Sequence, residues 1–184
     1  TGATYITQAG SVPNLFYGYK TNGVLASDAI AAQENLSIRN IDGTLTAFRG
    51  GDVRFADVNG DKVIDQNDLQ VIGDPNADLF GSFSSKITCK QFSLDALFTF
   101  TSGNDIYNYT RSQLESMTGY ANQTDAILNR WKTNGDQTNI PKATWGDPMG
   151  NSRFSDRWIE DGSYLRFRTA TLSYNVPFKE GFLK

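Results

Sequence analysis

The stretch that decides the fold is residues 92–101, Phe92-Ser93-Leu94-Asp95-Ala96-Leu97-Phe98-Thr99-Phe100-Thr101. Every second residue from Phe92 onwards is apolar, whereas the residues between them are mostly polar. Alternation with a period of two over ten residues predicts a β-strand with one apolar and one largely polar face. A second extended run, residues 79–88 (LFGSFSSKIT), lies just before it, and the short connection Cys89-Lys90-Gln91 predicts a hairpin of long strands.

A third long strand is predicted at residues 163–176 (SYLRFRTATLSYNV), between Gly162 and Pro177. Simple alternation puts one set of residues on one face and a second set on the other. The first set is Leu165, Phe167, Thr169, Thr171 and Ser173, and the second is Arg166, Arg168, Ala170, Leu172 and Tyr174. Polarity switches partway along both faces, which predicts a strand that runs from solvent into an apolar zone.

Two long loop regions, residues 21–78 and 102–162, separate these strands. Within them, residues 27–35, 105–117 and 124–131 have helical patterns, and Ser27 is a plausible N-cap. We therefore predict one unit over residues 1–184 that is mainly β with some helices, in the α+β class. Its long strands are antiparallel and comprise the hairpin at residues 79–101 and a last strand at residues 163–176. Strands of this length with short turns and long loops are typical of an outer-membrane barrel, and a soluble β-sandwich hairpin is the alternative.

Composition excludes several classes of function. The chain has no histidine, which excludes Ser-His-Asp and Cys-His catalysis and most zinc sites. A net charge of -3 and the lack of a basic cluster give no case for binding nucleic acid. Cys89 is the only cysteine, so no internal disulfide can form. No acidic pair has the spacing of a general acid and base, and we predict that the chain is not an enzyme.

An Asp-rich loop at residues 57–68 (DVNGDKVIDQND) is the best candidate site. Its oxygen-bearing side chains recur at the ligand positions of a calcium loop of the EF-hand or dockerin kind. The predicted ligands are Asp57, Asn59, Asp61, the carbonyl of Val63, Asp65 and Asp68. The sixth position is Lys62 where such loops have Gly, although Gly60 could provide a different bend. The alternative is a run of Asx-turns that hydrogen-bond their own backbone.

Aromatic side chains in the second loop region are candidates for contact with a ligand. Interleaved with Asn, Asp and Arg, they could form a wall that binds sugar or peptide, or they could pack a small core of their own. The candidates are Tyr107, Tyr109, Trp131, Trp145 and Trp158, with Tyr120 nearby.

Five motifs, spread over most of the chain, together resemble one family. They are residues 16–23 (FYGYKTNG), 51–65 (GDVRFADVNGDKVID), 71–76 (VIGDPN), 103–108 (GNDIYN) and 157–166 (RWIEDGSYLR). In this order and spacing they resemble the SusC/RagA-type TonB-dependent outer-membrane transporters of Bacteroidetes. Lys62 departs from that pattern, where the family usually has Gly, and Leu69 stands where it often has a basic residue.

The resemblance implies a late part of a 22-stranded transmembrane barrel that follows a plug domain. It implies a parent protein in the outer membrane that imports glycans or peptides with energy from TonB and a SusD-like lipoprotein as a lid. A piece of a barrel cannot close, so we expect its apolar face to be covered by the loop regions or by a second copy, with packing that need not match the parent. We expect no transport by this piece alone.

Two further function classes stay open at this point. The Asp-rich loop and the aromatic residues would also suit a soluble carbohydrate-binding module stabilised by calcium. A glycoside hydrolase is the least favoured class, because nothing sets two carboxylates in a defined relation. In the transporter and in the carbohydrate-binding module alike, a bound calcium ion would have a structural role.

Overall fold

A computed structural model describes residues 4–40 and 42–177, which fall into two units rather than the single unit expected from the sequence. The first unit joins the described residues up to Pro75 with Ile106–Glu160. The second joins Asn76–Asp105 with the described residues from Asp161 onwards. The two long loop regions of the sequence analysis therefore fold mainly together, as the first unit. No helix in the described part of the chain is long and apolar enough to cross a membrane.

Among the residues that the structure describes, the first part of the chain contains eight short strands and one α-helix. In order they are β1 (Tyr5–Ile6), β2 (Leu15–Tyr19), β3 (Thr21–Val24), α1 (Asp28–Glu34), β4 (Ser37–Arg39), β5 (Leu45–Ala47), β6 (Val53–Phe55), β7 (Val63–Ile64) and β8 (Leu69–Gly73). They form three small sheets with the orders β1-β2-β8, β3-β6 and β5-β4-β7. The β4–β7 pair is parallel, and the other pairs in these sheets are antiparallel.

The rest of the described chain, up to residue 177, contains three long strands, two short strands and one α-helix. In order they are β9 (Leu79–Cys89), β10 (Phe92–Ser102), β11 (Asp105–Tyr107), α2 (Tyr109–Leu114), β12 (Ile159–Asp161) and β13 (Tyr164–Tyr174). Three short 3-10 helices lie at Gln66–Asp68, Asp125–Asn129 and Asp156–Trp158. Strand β11 pairs with β12.

The core of the first unit draws side chains from both loop regions. Its buried members include Leu25, Phe48, Val53, Phe55 and Ile64 from the first region and Met149 from the second. Burying each such side chain contributes roughly 1.5–3 kcal/mol of transfer free energy, so this cluster is the main apolar contribution to the unit. Short strands with one or two inward residues each are sufficient because the loops between them also supply apolar side chains.

The helix predicted at residues 27–35 is confirmed as α1. Ser27 is its N-cap, and the hydroxyl oxygen accepts a hydrogen bond from the N–H of Ile30. Asn35 ends the helix with φ of 54°, and its N–H donates to the carbonyl of Ala31. A capping side chain at one end and a left-handed residue at the other are the usual signals of helix boundaries.

The other two predicted helices are shorter than the sequence suggests. Of residues 105–117 only Tyr109–Leu114 is α-helical, because Asp105–Tyr107 forms strand β11. Ile106 and Tyr107 are β-branched and aromatic, and both favour an extended chain once a partner strand is present. Residues 124–131 form a 3-10 helix at Asp125–Asn129, in which Thr124 makes no capping hydrogen bond with its side chain.

The second unit is an antiparallel three-stranded sheet in the order β9-β10-β13, with 11 residues in each strand. The hairpin predicted at residues 79–101 is confirmed, and Lys90 turns it with φ of 53°. One face carries an aromatic row across the three strands. The Phe98 ring lies 4.7 Å from that of Phe83 and 4.9 Å from that of Phe167, measured between ring centroids.

The faces predicted for the last strand are wrong for the residues before Thr169, because the strand contains a β-bulge. Leu97 pairs with Thr169 but Phe98 pairs with Phe167, so Arg168 is an extra residue that forms a β-bulge. Leu165 and Phe167 therefore share the apolar face with Ala170, Leu172 and Tyr174. The change of polarity along the sequence reflects this bulge, and it does not mark a passage from solvent into an apolar zone.

The apolar face of the sheet is open. Leu172 is 71% exposed, and Ile87, Phe92 and Leu94 are exposed as well. Within the described residues of this unit, ladder hydrogen bonds and cross-strand pairs stabilise the sheet.

Removing the N-cap of α1 tests how much this helix depends on its local signal. We expect Ser27→Ala to destabilise α1 by about 1 kcal/mol, because the amide of Ile30 loses its acceptor. Hydrogen exchange of the α1 amides should then be roughly fivefold faster. Helix α2, which has its own cap at Asn108, should exchange as before. Unchanged exchange in α1 would show that packing alone holds it.

Candidate functional site

The Asp-rich loop runs from the end of β6 through β7 and the 3-10 helix to β8. Its carboxylates and amide are held by hydrogen bonds from the loop itself. Asp57 accepts from the N–H groups of Gly60 and Lys62 at 2.7 and 3.0 Å, and Asp61 accepts from that of Val63 at 2.8 Å. Asn59 accepts from the N–H of Asp61 at 3.0 Å. The bonds of Asn59 and Asp61, each to the residue two positions on, are the Asx-turns predicted as the alternative, whereas Asp57 bonds further along the loop.

Asp68 anchors the end of the loop. Its side chain is fully buried, and its two oxygens accept from the N–H groups of Val58 and Asp65, both at 2.9 Å. Asp65 in turn accepts from the N–H of Asn67, which completes a capping box around the 3-10 helix. One buried carboxylate thus ties the start of the loop to its end.

Lys62 provides the bend that a glycine would normally make. Its φ is 66°, in the left-handed region, and Gly60 has φ of 79°. A left-handed conformation costs a residue with a side chain about 1–2 kcal/mol. The N–H of Lys62 donates to Asp57 and its carbonyl accepts from the N–H of Ser37, and these bonds hold it there.

The loop has the right donor chemistry for calcium, since carboxylate and amide oxygens are the ligands that hard cations take. As the side chains lie, however, no group of three or more acidic, Cys or His side chains within residues 4–40 and 42–177 is placed to hold a metal. Calcium binding by Asp57, Asn59, Asp61, Val63, Asp65 and Asp68 stays a prediction.

The five aromatic candidates do not lie on one wall. Trp158 is fully buried, and its indole N–H donates to the carbonyl of Arg153 at 3.1 Å, so it offers no surface to a ligand. The indole N–H of Trp131 donates to the carbonyl of Ala26 at 2.9 Å. Tyr107 packs edge-on against Phe154 with ring centroids 5.0 Å apart. Trp131 and Tyr107 therefore join parts of the first unit.

The exposed aromatic residues are Trp145, Tyr109 and the neighbouring Tyr120. Trp145 is 63% exposed and Tyr120 is 93% exposed, and their ring centroids lie 4.2 Å apart. Tyr109 is 52% exposed and lies beside Tyr107. A pair of rings in contact and open to solvent is a surface that could contact a ligand. Nothing in the sequence pairs Tyr120 with Trp145, so Tyr120 was not among the five candidates.

Asp52 is a buried carboxylate that the sequence analysis did not identify. Its oxygens accept from the N–H of Arg49 at 2.9 Å, from Nζ of Lys142 at 3.0 Å and from Nδ2 of Asn151 at 2.9 Å. Asn151 also accepts from the N–H of Val53 at 2.8 Å. The only signal for Asp52 in the sequence is its position between the Gly-Gly turn and an apolar strand.

Two arginines flank the buried ring of Trp158. The guanidinium carbon of Arg157 lies 4.8 Å from the ring centroid and that of Arg111 lies 5.8 Å from it. Burial, together with the charge of Arg111, lowers the pKa of Arg157 to about 10. Arg111 pairs with Glu115 and Glu160, and hydrogen bonds from Asn108 and Arg111 lower the pKa of Glu160. Arg111 thus forms ion pairs with both glutamates, whereas Arg157 donates to the carbonyl of Asn151 at 2.9 Å, and both arginines lie against the tryptophan ring.

Comparison with known proteins identifies the class. No protein-family model matches the chain. TonB-dependent receptor P3 of Formosa agariphila is 31% identical over 184 residues, which cover 98% of this chain and 16% of that protein. TonB-dependent receptor P39 of the same organism is 29% identical over 205 residues, which cover 95% of this chain and 20% of that protein. The chain thus spans a fifth or less of the length of these relatives.

Solved structures show the same fold. The RagAB peptide transporter matches with a TM-score of 0.68 and 20% identity over all of this chain and 19% of that one. The RagAB peptide importer in its closed-closed state matches with a TM-score of 0.62 over 96% of this chain and 18% of that one.

These matches confirm the resemblance that the motifs indicate: over almost its whole length the chain is similar to a segment of TonB-dependent receptors, and it shares its fold with part of RagAB. The predicted location in the outer membrane is confirmed by the same relatives, which are outer-membrane proteins.

Replacing Asp52 tests the hydrogen-bonded centre of the first unit. We expect Asp52→Ala to cost about 3–5 kcal/mol of local stability, because it leaves Lys142 and Asn151 without their acceptor. Exchange of the amides of Arg49 and Val53 should accelerate at least about a hundredfold. Asp42→Ala is the control, since that exposed carboxylate bonds only to Thr44, and its effect should stay local. Equal effects of the two variants would contradict the assignment.

The calcium prediction is tested by calorimetric titration of the purified protein with calcium. We expect a saturable heat that the double variant Asp57→Asn, Asp61→Asn loses, because two of four loop carboxylates become neutral. Asp42→Asn, a carboxylate outside the loop, should keep the heat. No heat in the unaltered protein, or the same heat in the double variant, would contradict calcium binding by this loop. The loop would then be stabilised by its hydrogen bonds alone.

Proposed function

We propose that this chain forms part of an importer of nutrients in the outer membrane, energised through TonB. Similarity to TonB-dependent receptors over 98% of the chain carries the proposal. The likeness in fold to the RagAB peptide transporter over the whole chain supports it. Because the chain spans only a small part of its relatives, transport is proposed for the complete protein and none for this stretch alone. No catalytic step is assigned, since the relatives are receptors and transporters.

The three-stranded sheet suits a place in the wall of a transmembrane barrel. Eleven residues at about 3.3 Å each span roughly 36 Å, and a strand tilted by about 45° then crosses about 25 Å of membrane. The open face carries Phe83, Ile87, Phe92 and Leu172, and we assign it to lipid contact. Both edges of the sheet, β9 and β13, would continue into further strands of a 22-stranded barrel.

The first unit suits a water-exposed loop assembly of the importer. Its surface carries the paired rings of Tyr120 and Trp145, and we assign this pair to contact with the transported nutrient. RagAB is described as a peptide importer, which supports a peptide. The motifs resemble a family that also imports glycans, and aromatic rings stack on sugars as well as on peptides. A lipoprotein of the SusD type is the proposed partner.

A soluble carbohydrate-binding module stabilised by calcium is the second candidate. The exposed pair Tyr120–Trp145 is the observation that favours it, since such rings can stack on a sugar. The open apolar sheet supports the importer instead, because soluble proteins seldom expose contiguous apolar faces of this size.

The proposal predicts that a strain without the gene fails to grow on one class of nutrient, either peptides or glycans, supplied alone. The gene should restore growth only in cells with active TonB. In uptake assays, Tyr120→Ala with Trp145→Ala should raise the half-saturating concentration about tenfold, since two aromatic contacts are together worth roughly 1–2 kcal/mol.

Leu128→Ala is the matched control, because Leu128 is also 63% exposed and lies in the same unit. It should leave uptake unchanged. Growth that does not depend on the gene or on TonB would overturn the importer. Normal uptake by the aromatic double variant would overturn the assigned contact alone.

A further inference from the structure

A cleft of about 600 Å³ opens in the first unit between the end of β4 and the 3-10 helix at Gln66–Asp68. The polar residues that line it are Arg39, Asp65, Gln66, Asn67 and Arg153, together with the ring of Tyr19, and Ile64 contributes to its apolar base. A cleft of this size, with an apolar base and a few polar groups, has the composition of a small-molecule site.

Arg153 is the unusual group in this cleft. Its guanidinium carbon lies 4.7 Å from the ring centroid of Tyr19 and 5.0 Å from that of Phe55. Its Nε donates to the carbonyl of Gly150 at 3.0 Å, and one terminal nitrogen donates to that of Met149 at 3.4 Å. Burial lowers the pKa of Arg153, which reports how far the group is removed from water.

No carboxylate of the described chain forms an ion pair with Arg153. Asp147 influences it electrostatically, but the oxygens of Asp147 accept from the backbone of Asn151 and from Ser152. This largely buried cation is held by carbonyls, ring faces and a hydrogen bond with the Tyr19 side chain, so its charge is only partly compensated. Its planar guanidinium has five donor hydrogens and suits a carboxylate in a two-bond, forked geometry.

The other charges around the cleft leave room for an anion. Arg39 is half exposed, and its Nε lies 4.0 Å from Asp65, at the limit of an ion pair. Asp65 also accepts from the N–H of Asn67, and both oxygens of the buried Asp68 accept from backbone N–H groups. The two acidic groups are therefore already hydrogen-bonded, whereas Arg153 lacks an anionic partner.

We propose that this cleft binds a small molecule through its carboxylate, with Arg153 as the inner donor and Arg39 as the outer one. The amides of Gln66 and Asn67 at the rim would bond polar groups on the rest of the ligand, and Tyr19 would pack against its body. This site is separate from the exposed Tyr120–Trp145 pair, and it does not depend on the proposed import.

Benzoate and benzamide are the probes, because they have the same shape and differ in charge. Titrated calorimetrically into the purified full-length protein, benzoate should bind saturably, and benzamide at least about tenfold more weakly. Arg39→Gln should weaken benzoate about tenfold, and Arg153→Gln should abolish saturable binding. Hydrogen exchange of residues 37–40 and 64–68 should slow with benzoate present.

Arg54→Gln is the matched control, because Arg54 is a similarly exposed arginine of the same unit that pairs with Glu34. It should bind benzoate as the unaltered protein does. If Arg153→Gln fails to fold, Arg39→Gln decides the question, since its side chain lies half in solvent. Equal binding of the two probes, no binding of benzoate, or an unchanged affinity in Arg39→Gln would overturn the proposal.

Discussion

The first unit depends on one buried carboxylate. Asp52 is almost completely removed from water, a state that is costly unless every oxygen is hydrogen-bonded. Its partners come from its own turn and from residues ninety or more positions later, Lys142 and Asn151. Gly51, with φ of 84°, lets the turn approach the ring of Trp131, and an added Cβ would lie 2.5 Å from that ring. The network therefore specifies which distant loop packs against β6, something that apolar burial alone would leave open.

The second unit is held together by strand pairing and cross-strand contacts instead of a buried carboxylate. Within its described residues the sheet has no second layer, and its apolar face carries rings that contact one another across strands. Cross-strand pairs contribute only about 0.2–1 kcal/mol each, which is little for a sheet in water. In lipid the same face needs no further cover, and closed backbone pairing becomes the controlling requirement. One chain thus combines a unit with a buried core and a sheet whose apolar side chains are exposed.

The sequence predicted features that are encoded locally. The hairpin followed from the alternation of residues 92–101, and α1 from Ser27 and its Ala-rich turn. The bulge at Arg168 could not be predicted from the sequence. An extra residue in one of two paired strands appears in the sequence only as a change of polarity along that strand. Asp52 and the Tyr120–Trp145 pair depend on contacts between residues far apart in sequence, which composition and spacing do not encode. The motifs identified the class because they are spread over the whole chain.

The Asp-rich loop shows how far residue types alone can define a site. Each carboxylate has about four lone-pair positions, so an Asx-turn bond from a backbone N–H leaves others for a cation. The observed hydrogen bonds therefore fix the side chains in place, and they do not exhaust the oxygens. A calcium ion needs six to eight oxygens at about 2.3–2.6 Å from one point, so binding would require these side chains to converge. Asp68, buried and bonded at both oxygens, is the least free of them to turn.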